Sequence, residues 1–100
     1  MNIGSTIKQI RQKKGQKQKD FALTCGISQS YLSLIENDVK EPTITLLKRI
    51  SQELEIPLPI LMFYSLEEDD VNENKKEAYG LLESHIKNMI NSVFAETELT

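Results

Sequence analysis

Four neighbouring side chains near the middle of the chain have the chemistry needed to read base pairs. Gln29 offers an amide, Ser30 and Ser33 offer hydroxyls, and Leu34 is apolar. An amide donates and accepts at once and so matches adenine N6 and N7, a hydroxyl can meet a base edge or a phosphate, and Leu34 can pack on a thymine methyl. For Gln29 the plainer interpretation is an ordinary solvated side chain, and for Leu34 a core or interface position is an equally good interpretation. Since no acidic residue lies between Ser28 and Glu36, we favour the DNA major groove.

The sequence lacks the residue groupings that enzymes and metal sites use. It holds one cysteine, Cys25, and one histidine, His85, with no paired Cys/His pattern and no phosphate-binding glycine loop. We therefore predict no catalytic activity, no metal and no cofactor. Cys25 falls on the apolar side of its segment, which predicts a small core residue. His85, without partners at ligand spacing, is expected to be packed or half-exposed.

The stretch from residue 18 to residue 37 predicts two short helices joined by a tight turn. Gly26 can adopt the left-handed conformation that ends the first helix, and Ser28 can cap the second through its hydroxyl. Apolar residues mark the inward faces of both helices: Phe21, Ala22, Cys25, Leu32 and Ile35. The candidate base-reading residues then lie mostly on another face of the second helix, directed outward.

This stretch resembles the helix-turn-helix of the phage repressor and Cro-type (XRE) DNA-binding proteins. The resemblance is carried by Gln18, Ala22, Gly26, Leu32 and Ile35 and by the run Tyr31–Asn37, YLSLIEN. It extends over about residues 3–63, and it is specific because several spaced positions must match at once. It implies an all-α, five-helix lambda-repressor-like bundle whose second motif helix enters the major groove. It also implies that Gln18 braces Gln29 and touches a phosphate.

The resemblance further implies a set of residues that hold the DNA backbone: Arg11, Lys17, Gln18, Lys19, Tyr31, Asn37, Lys40 and Thr43. Phosphate contacts set the register of the protein on DNA without reading sequence. For each lysine, a purely solvated side chain is an equally good interpretation, and for Tyr31 packing at the helix junction is the better one. Glu36 is interpreted as structural, bonding loop amides or pairing with a nearby cation.

Charge divides the chain into a basic and an acidic half. Residues 1–50 carry nine Lys/Arg and four Asp/Glu, a net charge of +5, whereas residues 51–100 carry three and eleven, a net charge of −8. The basic half fits a polyanionic partner, although ordinary surface solubility explains the split as well. The single cysteine fits a reducing compartment. No apolar run approaches the roughly 18 residues of a membrane helix, and no signal peptide is recognisable, so we expect a cytoplasmic protein of a bacterium or phage host.

Three further amphipathic segments complete the predicted bundle. A first helix covers about residues 5–14, with an isoleucine face inward and basic side chains, including Arg11, outward. Thr43 caps a fourth helix that ends near Leu54. Its apolar positions are Ile44, Leu47, Ile50 and Leu54. Pro59 fits the first turn of a short fifth helix, which closes the core.

The last third of the chain reads as an acidic connector followed by an amphipathic helix. Residues 65–76 hold five acidic side chains and no apolar period, which favours a solvated spacer. From residue 77 to about 95 the apolar residues form one continuous stripe, too large for a soluble monomer to expose. Either the chain's own bundle or the same helix of a second subunit must cover it. We favour a homodimer held by Leu81, Leu82, Ile86, Met89, Ile90, Val93 and Phe94.

These observations predict a DNA-binding domain over residues 1–64, a connector over 65–76 and a dimerisation helix over 77–100. Two recognition helices related by a two-fold axis would read half-sites about 34 Å apart. We therefore expect a homodimeric regulator of transcription on a palindromic operator, a repressor that occludes its promoter; contact with RNA polymerase would instead make it an activator. The alternative is a protein-interaction module, such as an antitoxin, whose last helix binds a different protein.

Overall fold

The computed structural model describes residues 1–67, 70 and 76–93 of the chain. These residues form six α-helices and no strand, which confirms the predicted all-α class. The helices are α1 (Ile3–Lys13), α2 (Gln18–Thr24), α3 (Gln29–Glu36), α4 (Ile44–Leu54), α5 (Leu58–Ser65) and α6 (Lys76–Val93). None of the helices in this part of the chain combines the length and the apolar character that a membrane span requires.

One apolar core lies between the first five helices. Its buried members come from every one of them and from the turn before α5: Ile7, Ile10, Phe21, Ala22, Cys25, Leu32, Ile35, Leu47, Ile50, Leu54, Ile56 and Leu61. Ten of the twelve are isoleucine, leucine or phenylalanine, and burying a side chain of that size contributes about 1.5–3 kcal/mol, so together they stabilise a domain of this length. The inward faces predicted for the helix-turn-helix residues are confirmed.

The turn and the caps that frame α3 form as the sequence predicts. Gly26 has φ 76°, the left-handed conformation that favours glycine. The Ser28 hydroxyl accepts from the backbone N–H of Tyr31 (3.0 Å), and the Thr43 hydroxyl accepts from that of Leu46 (3.1 Å). Each bond satisfies a backbone donor that the first turn of a helix leaves unpaired. These local interactions set where α3 and α4 begin.

The first helix begins two residues earlier than predicted, because a distant loop caps it. The Asp38 carboxylate accepts from the backbone N–H of Gly4 (3.1 Å) and from the Ser5 hydroxyl (2.7 Å). Asp38 itself is left-handed, with φ 58°, as expected for a residue that tolerates this region. Gly4 lies directly against the backbone carbonyl of Ile35, where a side chain would overlap it. This contact sets how closely α1 approaches α3.

The prediction that Ile44 belongs to the apolar face of α4 is wrong. Ile44 is 58% exposed, whereas Leu47, Ile50 and Leu54 are buried. At 100° per residue Ile44 points roughly 90° away from the mean direction of the other three, and it stands in the first turn, so the core does not reach it.

The last helix lies against α5 of the same chain. The Tyr64 hydroxyl donates to Asn91 Oδ1 (2.9 Å), and the Lys87 ammonium stands 5.2 Å from the centre of the Tyr64 ring. Ile86 packs against the core of its own chain. We therefore withdraw Ile86 from the predicted subunit interface, because part of the stripe is covered within the chain.

The other side of α6 is open to solvent. Leu81 and Met89 are 70% and 65% exposed, and His85, between them in the same row, is exposed as well. The side chains of Leu82, Ile90 and Val93, the whole of Phe94 and most of the predicted connector lie outside the described residues. Of the residues predicted to form the dimer face, Leu81 and Met89 are the ones whose side chains are described and exposed.

Candidate nucleic-acid interface

The four predicted base-reading residues meet on the open side of α3. Gln29, Ser30 and Leu34 are exposed and Ser33 is half-buried. Together with Gln18 from α2 they line a shallow concavity of about 440 Å³. Its wall combines amides, hydroxyls and one apolar side chain, which is the mixture that base edges and thymine methyl groups can contact.

Two glutamines are linked at the base of this surface. Gln29 Nε2 donates to Gln18 Oε1 at 3.3 Å, and Gln18 Nε2 donates to Glu36 Oε1 at 2.9 Å. The brace between Gln18 and Gln29 that the resemblance implies is therefore present. It continues into the protein interior, because Glu36 is 3% exposed.

A buried ion pair stands behind the glutamines. Arg11 Nε donates to Glu36 Oε2 (2.6 Å) and Arg11 Nη2 to Glu36 Oε1 (3.1 Å), while Arg11 Nη1 donates to the carbonyl of Gln16 (2.7 Å). Two planar groups bound side by side are stronger and more directional than a single contact. A buried charge requires such a partner. Arg11 is therefore the cation that pairs with Glu36 in the structural role predicted for this residue.

Arg11 is therefore removed from the set of DNA backbone contacts. It is 6% exposed, and its guanidinium is held between Glu36 and the carbonyl of Gln16, in the link between α1 and α2. A phosphate would have to displace the carboxylate to reach it. The spacing of residues in the sequence could have indicated this burial. Arg11 follows the buried Ile7 by four residues, and Glu36 follows the buried Leu32 by four. Residues four apart lie on the same side of a helix, so both charged residues lie on the inward face of their helix.

The remaining predicted backbone contacts surround α3. Five of them are exposed, at the start of α2, in the loop after α3 and at the start of α4: Lys17, Lys19, Asn37, Lys40 and Thr43. Tyr31 is half-buried and packs against the core, which agrees with its predicted packing role. Since the exposed side chains offer cations and hydrogen-bond donors, they can meet a phosphate chain on either side of the reading surface.

Groups that often carry reactivity are arranged here for packing. Cys25 is buried, and this burial raises the pKa of its thiol to about 11, so the thiolate form is scarce at neutral pH. Within the described part of the chain, no three His, Cys, Asp or Glu residues come together in a way that would hold a metal ion.

A short brace helix, a tight turn and a second helix with an open polar side define a helix-turn-helix DNA-binding domain. The chain belongs to that family: the family model described as "Helix-turn-helix" matches residues 7–61. This confirms the resemblance to the XRE-type proteins, and the chain is a transcriptional regulator with such a domain.

Curated relatives extend the match. The chain is 32% identical over 95 residues to the HTH-type transcriptional regulator SinR of Bacillus licheniformis, covering 93% of this chain and 78% of that protein. It is 36% identical over 61 residues to SinR of Bacillus subtilis, covering 60% and 55% of the two chains. It is 40% identical over 57 residues to SlrR of Bacillus subtilis, covering 56% and 38%. The first of these matches continues well beyond the helix-turn-helix, into the region of α6.

Proposed function

We propose that the protein represses transcription as a homodimer that binds a palindromic operator in the bacterial cytoplasm. The observation that carries this proposal is the open polar side of α3, with Gln29 at its start and five polar side chains exposed around it. One short helix contacts too few base pairs for useful selectivity among genomic sites, so a second copy is part of the proposal. Two α3 helices would then enter successive major grooves, and RNA polymerase would be excluded from the promoter.

The proposed contacts divide into two groups. Gln29, Ser30, Ser33 and Leu34 contact base edges, with the Gln29 amide on adenine and Leu34 on a thymine methyl. The DNA backbone is held by Lys17, Gln18, Lys19, Tyr31, Asn37, Lys40 and Thr43. The first group selects the sequence, and the second adds affinity for any duplex.

The proposed subunit contact uses the open side of α6, with Leu81 and Met89 at its described centre. Exposed apolar side chains in one row of a helix are typical of a face that packs on a partner. In this proposal the chain consists of a DNA-binding domain over residues 1–64, a connector over residues 65–76 and a dimerisation helix over residues 77–100. Because α6 is held on α5 by Tyr64, the partner would sit in a defined position relative to α3.

Selection of bound sites from a random duplex pool tests the DNA-binding proposal. We expect a palindrome with half-site centres about 34 Å apart. Gln29→Ala should then cost about 1–3 kcal/mol of binding free energy on the selected site and relax the preference at one base pair of each half-site. Lys40→Ala is the control, since loss of a phosphate contact lowers affinity for all duplexes together. An unenriched pool, or unchanged discrimination in Gln29→Ala, would contradict the proposal.

Light scattering on the purified protein tests the subunit contact. We expect a mass of twice 11.4 kDa for the wild type. Leu81→Glu combined with Met89→Glu should give the monomer mass, because two carboxylates would have to be buried in an apolar contact. Leu23→Glu is the matched control: Leu23 is a leucine on α2 that is 79% exposed, and its replacement should leave the dimer intact. A monomeric wild type would instead favour an antitoxin-like module whose last helix binds another protein.

A further inference from the structure

We infer that Glu36 is a positioning residue that determines which way round Gln29 presents its amide, and thereby which base pair α3 prefers. The inference rests on the proposed function, since it concerns the selectivity of the same surface. It starts from a chain of hydrogen bonds that leads from the buried ion pair to the reading surface.

The direction of this chain follows from the chemistry of a carboxylate. An ionised carboxylate only accepts hydrogen bonds, so the group of Gln18 that faces Glu36 must be its NH₂ (2.9 Å). The carbonyl of Gln18 then faces Gln29, and it can only accept. The NH₂ group of Gln29 therefore turns toward Gln18 (3.3 Å), which leaves its carbonyl oxygen and one N–H for a ligand.

Glu36 is well suited to set this direction because it cannot rearrange. Both of its carboxylate oxygens are held by Arg11, at 2.6 and 3.1 Å, and the residue is 3% exposed. A surface glutamine without such a partner would sample both orientations of its amide at nearly equal energy. Here the amide of Gln29 is already oriented in the free protein, so DNA binding does not carry the free-energy cost of ordering it.

A fixed amide distinguishes base pairs that a freely turning amide would not. Adenine presents one acceptor, N7, beside one donor, N6, whereas guanine presents two neighbouring acceptors, O6 and N7. The remaining N–H and the carbonyl of Gln29 match adenine in one order only. A turned amide would match the opposite order, which adenine presents when it stands on the other strand, as in T·A, and which cytosine N4 and guanine O6 present in a C·G pair. The buried carboxylate thus favours A·T, with the adenine on one particular strand, over the reversed T·A pair at this step.

Fluorescence-anisotropy titrations with the selected duplex and its three single-pair substitutions at the Gln29 step test this inference. Two variants interrupt the series of hydrogen bonds at different points. The first is Gln18→Ala. The second combines Arg11→Met with Glu36→Leu, which replaces the ion pair by apolar groups and keeps the fold. We expect each to lower the ratio of affinities between A·T and the other pairs by about three- to tenfold. Lys40→Ala, the control, should lower all four affinities and leave their ratio unchanged.

A double-variant comparison separates positioning from an independent contact. With Gln29→Ala already present, Gln18→Ala should lower the ratio no further, because Gln18 acts through Gln29. A further loss in that background, or a wild-type ratio in either variant that interrupts the hydrogen bonds, would overturn the inference while the DNA-binding function stands. A wild-type protein without any preferred duplex would overturn the proposed function itself. Circular dichroism of every variant confirms that the compared proteins are folded.

Discussion

Arg11→Met is expected to lower the free energy of unfolding by about 3–5 kcal/mol, the largest loss we anticipate from a single substitution. Methionine fills much of the space of the arginine stem but leaves the Glu36 carboxylate buried without its cation. The Gln16 carbonyl also loses its donor. Since small domains have only about 5–15 kcal/mol of stability in total, a urea titration should show a markedly lower midpoint.

Two further variants test whether the loss of stability in Arg11→Met comes from the broken ion pair. Arg11→Met combined with Glu36→Leu should recover most of the lost stability, because a buried pair replaced by apolar groups is often neutral or better. Lys13→Met removes an exposed cation from the same helix and should change the free energy of unfolding by no more than about 0.5 kcal/mol. An Arg11→Met protein as stable as the Lys13→Met protein would contradict this expectation and would show that the Glu36 carboxylate does not depend on Arg11.

Gly4→Ala is expected to destabilise the domain by about 1–3 kcal/mol or more, although alanine is the better helix former. A Cβ atom at Gly4 would overlap the backbone carbonyl oxygen of Ile35 and would stand 2.7 Å from the Asp38 carboxylate. Backbone atoms cannot swing aside as a long side chain can, so α1 and α3 must move apart. That movement would also pull Arg11 away from Glu36 and disturb the cap at Asp38.

A second helical glycine supplies the matched control for this prediction. Gly80 lies inside α6, where an added Cβ would meet no described atom within 4 Å other than its chain neighbours and the nearby backbone of its own helix. Gly80→Ala should therefore stabilise the helix by up to about 1 kcal/mol, the ordinary gain of alanine over glycine. The same chemical change is expected to have opposite signs at the two positions in thermal or urea unfolding. A neutral or stabilising Gly4→Ala would mean that α1 approaches α3 less closely than the structure shows.

Much of the helix-turn-helix could be predicted from the sequence, because short-range interactions determine it. Ser28 caps a helix through a backbone group three residues away, and Gly26 allows a turn that few other residues permit. Leu32 and Ile35 are buried because the helical period places them on one side. The outward direction of Gln29, Ser30 and Ser33 follows from the same period, whereas for Leu34 a core or interface position was an equally good interpretation.

Other features depended on contacts between segments that are distant in the chain. Arg11 looked like a surface cation on a basic face, yet its partner lies 25 residues away and holds it inside. Ile86 belonged to a stripe that two different surfaces could cover, and the structure places it against the core of its own chain. Amphipathicity shows that a residue needs a partner, but it does not say which one.

The sequence by itself determined the class of the protein, the turn before α3, the caps of α3 and α4, and the outward direction of Gln29, Ser30 and Ser33. Only the tertiary structure decided that Glu36 connects a buried cation to the reading glutamines and that Gly4 sets the distance between α1 and α3. The physical reason is that the Ser28 and Thr43 caps and the periodic faces involve atoms a few residues apart. Ion pairs and close backbone contacts across a bundle exist only once the helices have packed.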